Sequence, residues 1–122
     1  MIDGFEEFTE DVTDNDLEMI NLIAKSLSKR IGVTYAITNA EMRKAIFLHY
    51  GTSLSSAKMR KYIQYIRAYK LVSMLCASSK GYWVAKDKEE WIKYRESFRQ
   101  RVRSMVFTLK CMESDNPGNN IA

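Results

Sequence analysis

Ser55-Ser56-Ala57-Lys58-Met59-Arg60-Lys61-Tyr62-Ile63-Gln64-Tyr65-Ile66-Arg67 is the stretch on which the reading of this chain turns. At about 100° per residue, Met59, Tyr62, Ile63, Ile66 and Lys70 fall on one side of a helix. Ala57, Lys58, Arg60, Lys61, Gln64, Tyr65 and Ala68 fall on the other. One face is apolar and asks for burial. The other offers cations, hydrogen-bonding groups and small side chains, with Ser55 or Ser56 placed to cap the helix.

Working outward, Thr38-Asn39-Ala40-Glu41 is a capping box that opens a preceding helix. That helix runs to about His49 with Met42, Ala45, Ile46 and His49 inward, and Gly51 supplies a left-handed residue after it. On the other side, residues 72–76 and 82–85 read as two strands joined by the polar loop Ala77-Ser78-Ser79-Lys80-Gly81. Earlier still, Asp14 or Asn15 caps a first helix whose Leu17, Ile20, Ala24, Leu27 and Ile31 form a buried stripe, stopped by Gly32. Residues 33–37 are β-prone and are expected to form a first strand against the hairpin. Asp87-Lys88-Glu89-Glu90 opens the longest helix, about residues 88–112.

The expected fold class is mainly α with a small β-hairpin. Its order is that of a winged helix-turn-helix: a three-helix core plus wing, with an additional long C-terminal helix. The expected divisions are an acidic mobile leader over 1–13, the winged-helix domain with its C-terminal helix over 14–112, and a disordered tail over 113–122. In the last helix Trp91, Arg95, Phe98, Val102, Met105, Leu109 and Met112 recur at alternating steps of four and three. That seam pairs with the first helix inside one chain, or part of it pairs two chains as a homodimer, with the Arg95 stem lying along the apolar surface.

The 122 residues suit one domain with a small core, and 46% apolar with 28% charged residues is the balance of a globular chain. No run approaches the roughly 18 apolar residues of a membrane span. The acidic start, Met1-Ile2-Asp3-Gly4-Phe5-Glu6-Glu7, is unlike a secretory signal, so a cytoplasmic address is expected. Charge is segregated: residues 1–18 carry −8 and residues 19–122 carry +12. A body that basic favours a polyanion, and nucleic acid is the commonest. The acidic leader is open to three readings: solvating chain, a segment that folds back over the basic face and competes with DNA, or a partner-binding tail.

Thr38-x-x-Glu41, the basic helix after it, Ser78-Ser79-Lys80-Gly81-Tyr82-Trp83, and a last helix running from Glu89-Glu90-Trp91 through Arg99-Gln100-Arg101 together resemble small phage- and prophage-type winged-helix proteins. The resemblance covers about residues 36–104 and implies double-stranded DNA binding. The acidic leader lies outside it.

For reading DNA, a helix must bring donors and acceptors into the major groove. Arg60, Lys61 and Gln64 are the candidates for bases; Ser56, Lys58 and Tyr65 are the candidates for phosphates, with Lys80 at the tip of the hairpin. Arg43 and Lys44 are further cations within reach of the backbone. The competing class is a winged-helix protein-interaction module in a replication or assembly complex. Enzymatic chemistry finds no constellation. His49 is a lone histidine read as structural, Tyr82 and Trp83 read as packing residues, and no phosphate-binding glycine loop or nucleophile elbow occurs. With Cys76 and Cys111 as the only cysteines, neither a disulfide framework nor a metal site is expected, nor any cofactor.

Overall fold

The computed structural model describes residues 12–115. Of the expected mobile leader, residues 1–11 lie outside the described part, while Val12 packs on the core and Thr13 caps the first helix. Of the expected disordered tail, residues 116–122 lie outside it, while Glu113 and Ser114 continue the last helix two residues further than expected. The chain divides into two compact units, Met1–Lys86 and Asp87–Ala122. Its described part is mainly helical, with four α-helices and one two-stranded antiparallel hairpin.

Helix α1 (Asp14–Ser28) is capped one residue earlier than expected, by Thr13. The Thr13 hydroxyl accepts from the Asp16 amide at 3.2 Å, and the Asp16 carboxylate accepts from the Thr13 amide at 3.0 Å. This is a capping box with the shorter acid in the third position. Ile20, Ile23, Ala24 and Leu27 form the buried stripe. Ile31 does not join it and is 55% exposed, because the helix ends at Ser28 and its register is lost.

A single 3-10 turn, Val33–Tyr35, stands where the first strand was expected. The residues on either side of that turn make the expected pairing with the hairpin instead. Ile31 bridges to Val84, and Ile37 to Tyr82. The capping box of Thr38 and Glu41 then opens α2 (Asn39–Tyr50), with Met42 and Ile46 buried. His49, expected inward, is exposed. Gly51, at φ 67°, closes α2, its amide donating to the Phe47 carbonyl at 2.9 Å.

Helix α3 (Ser56–Ala68) is capped by Ser55, whose hydroxyl accepts from the Lys58 amide at 3.0 Å. Met59, Tyr62, Ile63 and Ile66 are buried as their spacing requires. Lys70 does not continue that face: it lies past the helix end, exposed, at φ 55°. Met74, also at positive φ, delays the first strand, so β1 is Leu75–Ser78. It pairs with β2 (Gly81–Val84) through a two-residue turn, Ser79-Lys80, tighter than the expected five-residue loop.

β2 is hydrogen-bonded on both edges. Besides β1, Tyr82 and Ile37 exchange amide-to-carbonyl bonds of 2.8 and 3.0 Å, and Gly32 donates to Val84 at 2.8 Å. The core lies where α1, α2, α3 and the start of β1 meet; Ile20, Leu27, Met59, Ile66 and Leu75 are sealed within it. Each such side chain contributes about 1.5–3 kcal/mol of burial free energy. Trp83 is buried and Tyr82 packs on the core, as read from the sequence.

The second unit is α4 (Lys88–Ser114), capped by Asp87, whose carboxylate accepts from the Glu90 amide at 2.8 Å. None of its residues is buried. The seam offered to the first helix is exposed: Phe98, Val102, Met105, Leu109 and Met112 each show 43–70% of their surface. Helix α1 already buries its own stripe inside the first unit, against α3 and β2. No helix among the described residues is long and apolar enough to cross a membrane.

Candidate nucleic-acid interface

Because Met59, Tyr62, Ile63 and Ile66 fasten α3 to the core, helical geometry turns Ala57, Arg60 and Gln64 outward, and all three are exposed. The helix carries Lys58, Arg60, Lys61 and Arg67 and not one carboxylate. Its N-terminal amides add positive potential at the same end as Lys58, Arg60 and Lys61.

The seven sequence candidates are held differently. Arg60 donates to the Ser56 hydroxyl at 2.8 Å, so its guanidinium lies back along the first turn. Ser56 is half-buried, and its carbonyl accepts from the Asn39 amide group at 3.2 Å. Asn39 in turn accepts from Arg43 at 2.7 Å. That relay joins the starts of α2 and α3. Gln64 projects to solvent. Lys61 is half-buried in a groove of about 400 Å³ that it shares with Val12, Asp16, Ala57, Lys58 and Tyr62. Tyr65 packs on the core and against Tyr69, with ring centroids 4.3 Å apart, and burial raises its hydroxyl pKa. Lys80 occupies the exposed hairpin turn on a separate element. Arg67 serves the fold: it donates to the Leu75 carbonyl at 2.6 Å and ties the end of α3 to β1.

Asp16 is the residue that sequence reasoning missed. Its carboxylate accepts from the buried Tyr62 hydroxyl and from the Thr13 amide, and lies 3.4 Å from the Lys58 ammonium. Lys58 sits in the first turn of α3, at the positive end of the helix dipole, and Asp16 offsets that unfavourable placement. The side chain of Lys58 remains half exposed. The Thr13-x-x-Asp16 box was the only available signal; the partnership with Tyr62 spans 46 positions and leaves no local trace.

The Tyr62 hydroxyl first, and then the Thr13 amide, hold the Asp16 carboxyl well below the usual carboxylate range. Burial, reinforced by Asp16, pushes the Tyr62 hydroxyl well above the usual tyrosine range. A depressed carboxylate contributes stability that is complete above its unfolded value, about 3.9, and is lost as pH falls toward the folded value. A raised tyrosine contributes stability that is complete below about pH 10 and is lost as pH rises beyond it. Asp16→Asn is therefore expected to cost about 2 kcal/mol at neutral pH, the scale of a hydrogen bond to a charged group. Denaturant titrations from pH 6 down to pH 2 should show a flatter acid limb than the parent; an unchanged limb would assign the acid sensitivity elsewhere.

Beyond this interface, a second groove of about 260 Å³ runs between α1 and α2, lined mainly by apolar residues with Arg30 and His49 at its edges. Among the described residues no cluster of three metal-ligating side chains occurs. Comparison with protein-family models, curated proteins and solved structures returned no match.

Proposed function

We propose that this chain binds double-stranded DNA as a winged helix-turn-helix protein, inserting α3 into the major groove and laying the hairpin along the adjacent backbone. The observation that carries this reading is the state of α3: locked to the core by one face, free of carboxylates, and open to solvent at Ala57, Arg60 and Gln64. In this reading Arg60, Lys61 and Gln64 meet base edges, and Ser56, Lys58, Tyr65 and Lys80 meet phosphates. The role is that of a regulator or accessory factor of mobile-element genes, working in the cytoplasm. The rival is an interaction module whose basic face meets an acidic protein. Duplex binding by the intact chain and by Lys61→Ala with Gln64→Ala, followed across salt, decides between them.

The exposed seam of α4 supports a homodimer as the second part of the proposal. Over about 27 residues the helix runs roughly 40 Å, enough for three heptads. An antiparallel pairing suits the sequence, since it sets Arg95 beside Met112 and Glu113 of the second copy. A parallel pairing would face Arg95 with its own copy. Val102→Asp, at the centre of the seam, is expected to turn a concentration-dependent dimer into a monomer in light scattering. A monomer already present in the parent at high concentration would remove the dimer.

A further inference from the structure

We propose that the acidic leader, residues 1–11, docks in the groove between the start of α1 and α3 and competes there with the polyanion. The inference rests on the DNA-binding reading and adds its regulation. Three observations converge on it. The first is the point of attachment. Val12 packs on the core and lines the groove with Asp16, Ala57, Lys58, Lys61 and Tyr62, so the leader joins the fold at the edge of the basic face.

The second is charge. Met1-Ile2-Asp3-Gly4-Phe5-Glu6-Glu7-Phe8-Thr9-Glu10-Asp11 carries five carboxylates and no cation. The helix it would meet carries four cations and no carboxylate. Asp16 already shows the kind of contact involved, since its carboxylate lies 3.4 Å from Lys58. The third is reach. Eleven residues span up to about 36 Å when extended. Helix α3, with 13 residues, is about 20 Å long. The leader can therefore cover the outward face from Lys58 to Gln64 without detaching Val12. Ala57 keeps the front of that face shallow, and Phe5 and Phe8 supply apolar side chains to lie against it.

The size of the effect follows from tethering. A short tether holds its segment at an effective concentration of about 1 mM. A weak electrostatic contact with a dissociation constant near 0.1 mM would then reduce duplex affinity about tenfold, and added salt would relieve it.

The test uses the full-length chain and a full-length variant with Asp3→Asn, Glu6→Gln, Glu7→Gln, Glu10→Gln and Asp11→Asn. Duplex affinity is measured at about 50 mM and 200 mM salt, and amide shifts at Ala57, Lys58 and Lys61 are compared without DNA. The expected result is about tenfold tighter binding by the variant at low salt, a smaller gap at high salt, and displaced amides at all three positions. Tighter binding with unmoved amides reports a general charge effect and overturns the docking. Equal affinity overturns the competition while leaving DNA binding itself intact. If neither form binds duplex, the DNA reading fails and the competition falls with it. Amide differences that grow with protein concentration place the leader of a second copy in the groove, which also overturns docking within one chain.

Discussion

Gly81→Ala is expected to destabilise the first unit by about 4 kcal/mol and to lower its melting temperature by well over 10 °C. Gly81 opens β2 at φ 115°, in a region that L side chains rarely adopt. A Cβ there would stand 2.3 Å from the carbonyl carbon and oxygen of Ile37 and 2.6 Å from the Thr38 nitrogen. These are backbone atoms, and they cannot swing aside as the end of a lysine would. Conformational strain contributes about 1–3 kcal/mol and overpacking a similar amount. Gly51 provides the control. It too has positive φ, yet nothing lies within 4 Å of its hypothetical Cβ, so Gly51→Ala should cost only about 1 kcal/mol. Thermal melts of both variants by circular dichroism check the contrast. Equal losses would mean that the close approach of Gly81 to Ile37 is unimportant.

Duplex affinity should fall roughly 10³-fold between 50 and 200 mM salt if α3 and the hairpin together neutralise about six phosphates. The estimate follows from counterion release, which makes affinity a steep power of salt concentration. Lys58, Arg43 and Lys80 supply cations to the phosphates. Arg60 and Lys61 carry two more positive charges into the groove between those phosphates, and the N-terminal amides of α3 add donors. Against that background, Lys61→Ala with Gln64→Ala should weaken binding by about 10–100-fold and reduce the salt slope by about one. The melting temperature should hardly change, because neither residue belongs to the core. A chain that fails to bind duplex even at about 50 mM salt would remove the DNA reading, and the interaction-module reading would then stand.

The parts of this fold that could be read from the sequence are those written in short-range spacing. Thr38-x-x-Glu41 announced the start of α2, and Met59, Tyr62, Ile63 and Ile66 announced the buried side of α3. Ala57, Lys58, Arg60 and Gln64 face outward as the same periodicity expects, but Lys61 and Ala68 are half-buried. Tyr65, placed with them on the wheel, packs on the core, because its ring is long enough to lie over the edge of the buried face. What escaped was set by contacts distant in sequence. Residues 33–37 have strand-forming side chains, but β2 takes only single partners at Ile31 and Ile37, and the chain between them tightens into a 3-10 turn. Ile31 and His49 looked inward on a wheel, yet α1 stops before Ile31, and His49 lies on the rim of a groove. Lys58 read as one more cation on the binding face; only the docking of α1 revealed that Asp16 shares it. The seam of α4 was visible as a pattern, but a pattern carries no statement of what it packs against.

The pairing of Ile37 with Tyr82 has a consequence for association. Thr38, the next residue, caps α2, so the hairpin and the helix pair are joined through one peptide unit and two short bonds. Swinging the hairpin away from the start of α2 therefore costs both Ile37–Tyr82 bonds. Much of the ordering that binding would otherwise demand of a loose arm is already complete when the chain folds. A partner that meets the hairpin meets an arm already fastened to the fold, and the freedom surrendered on contact is mostly the partner's own.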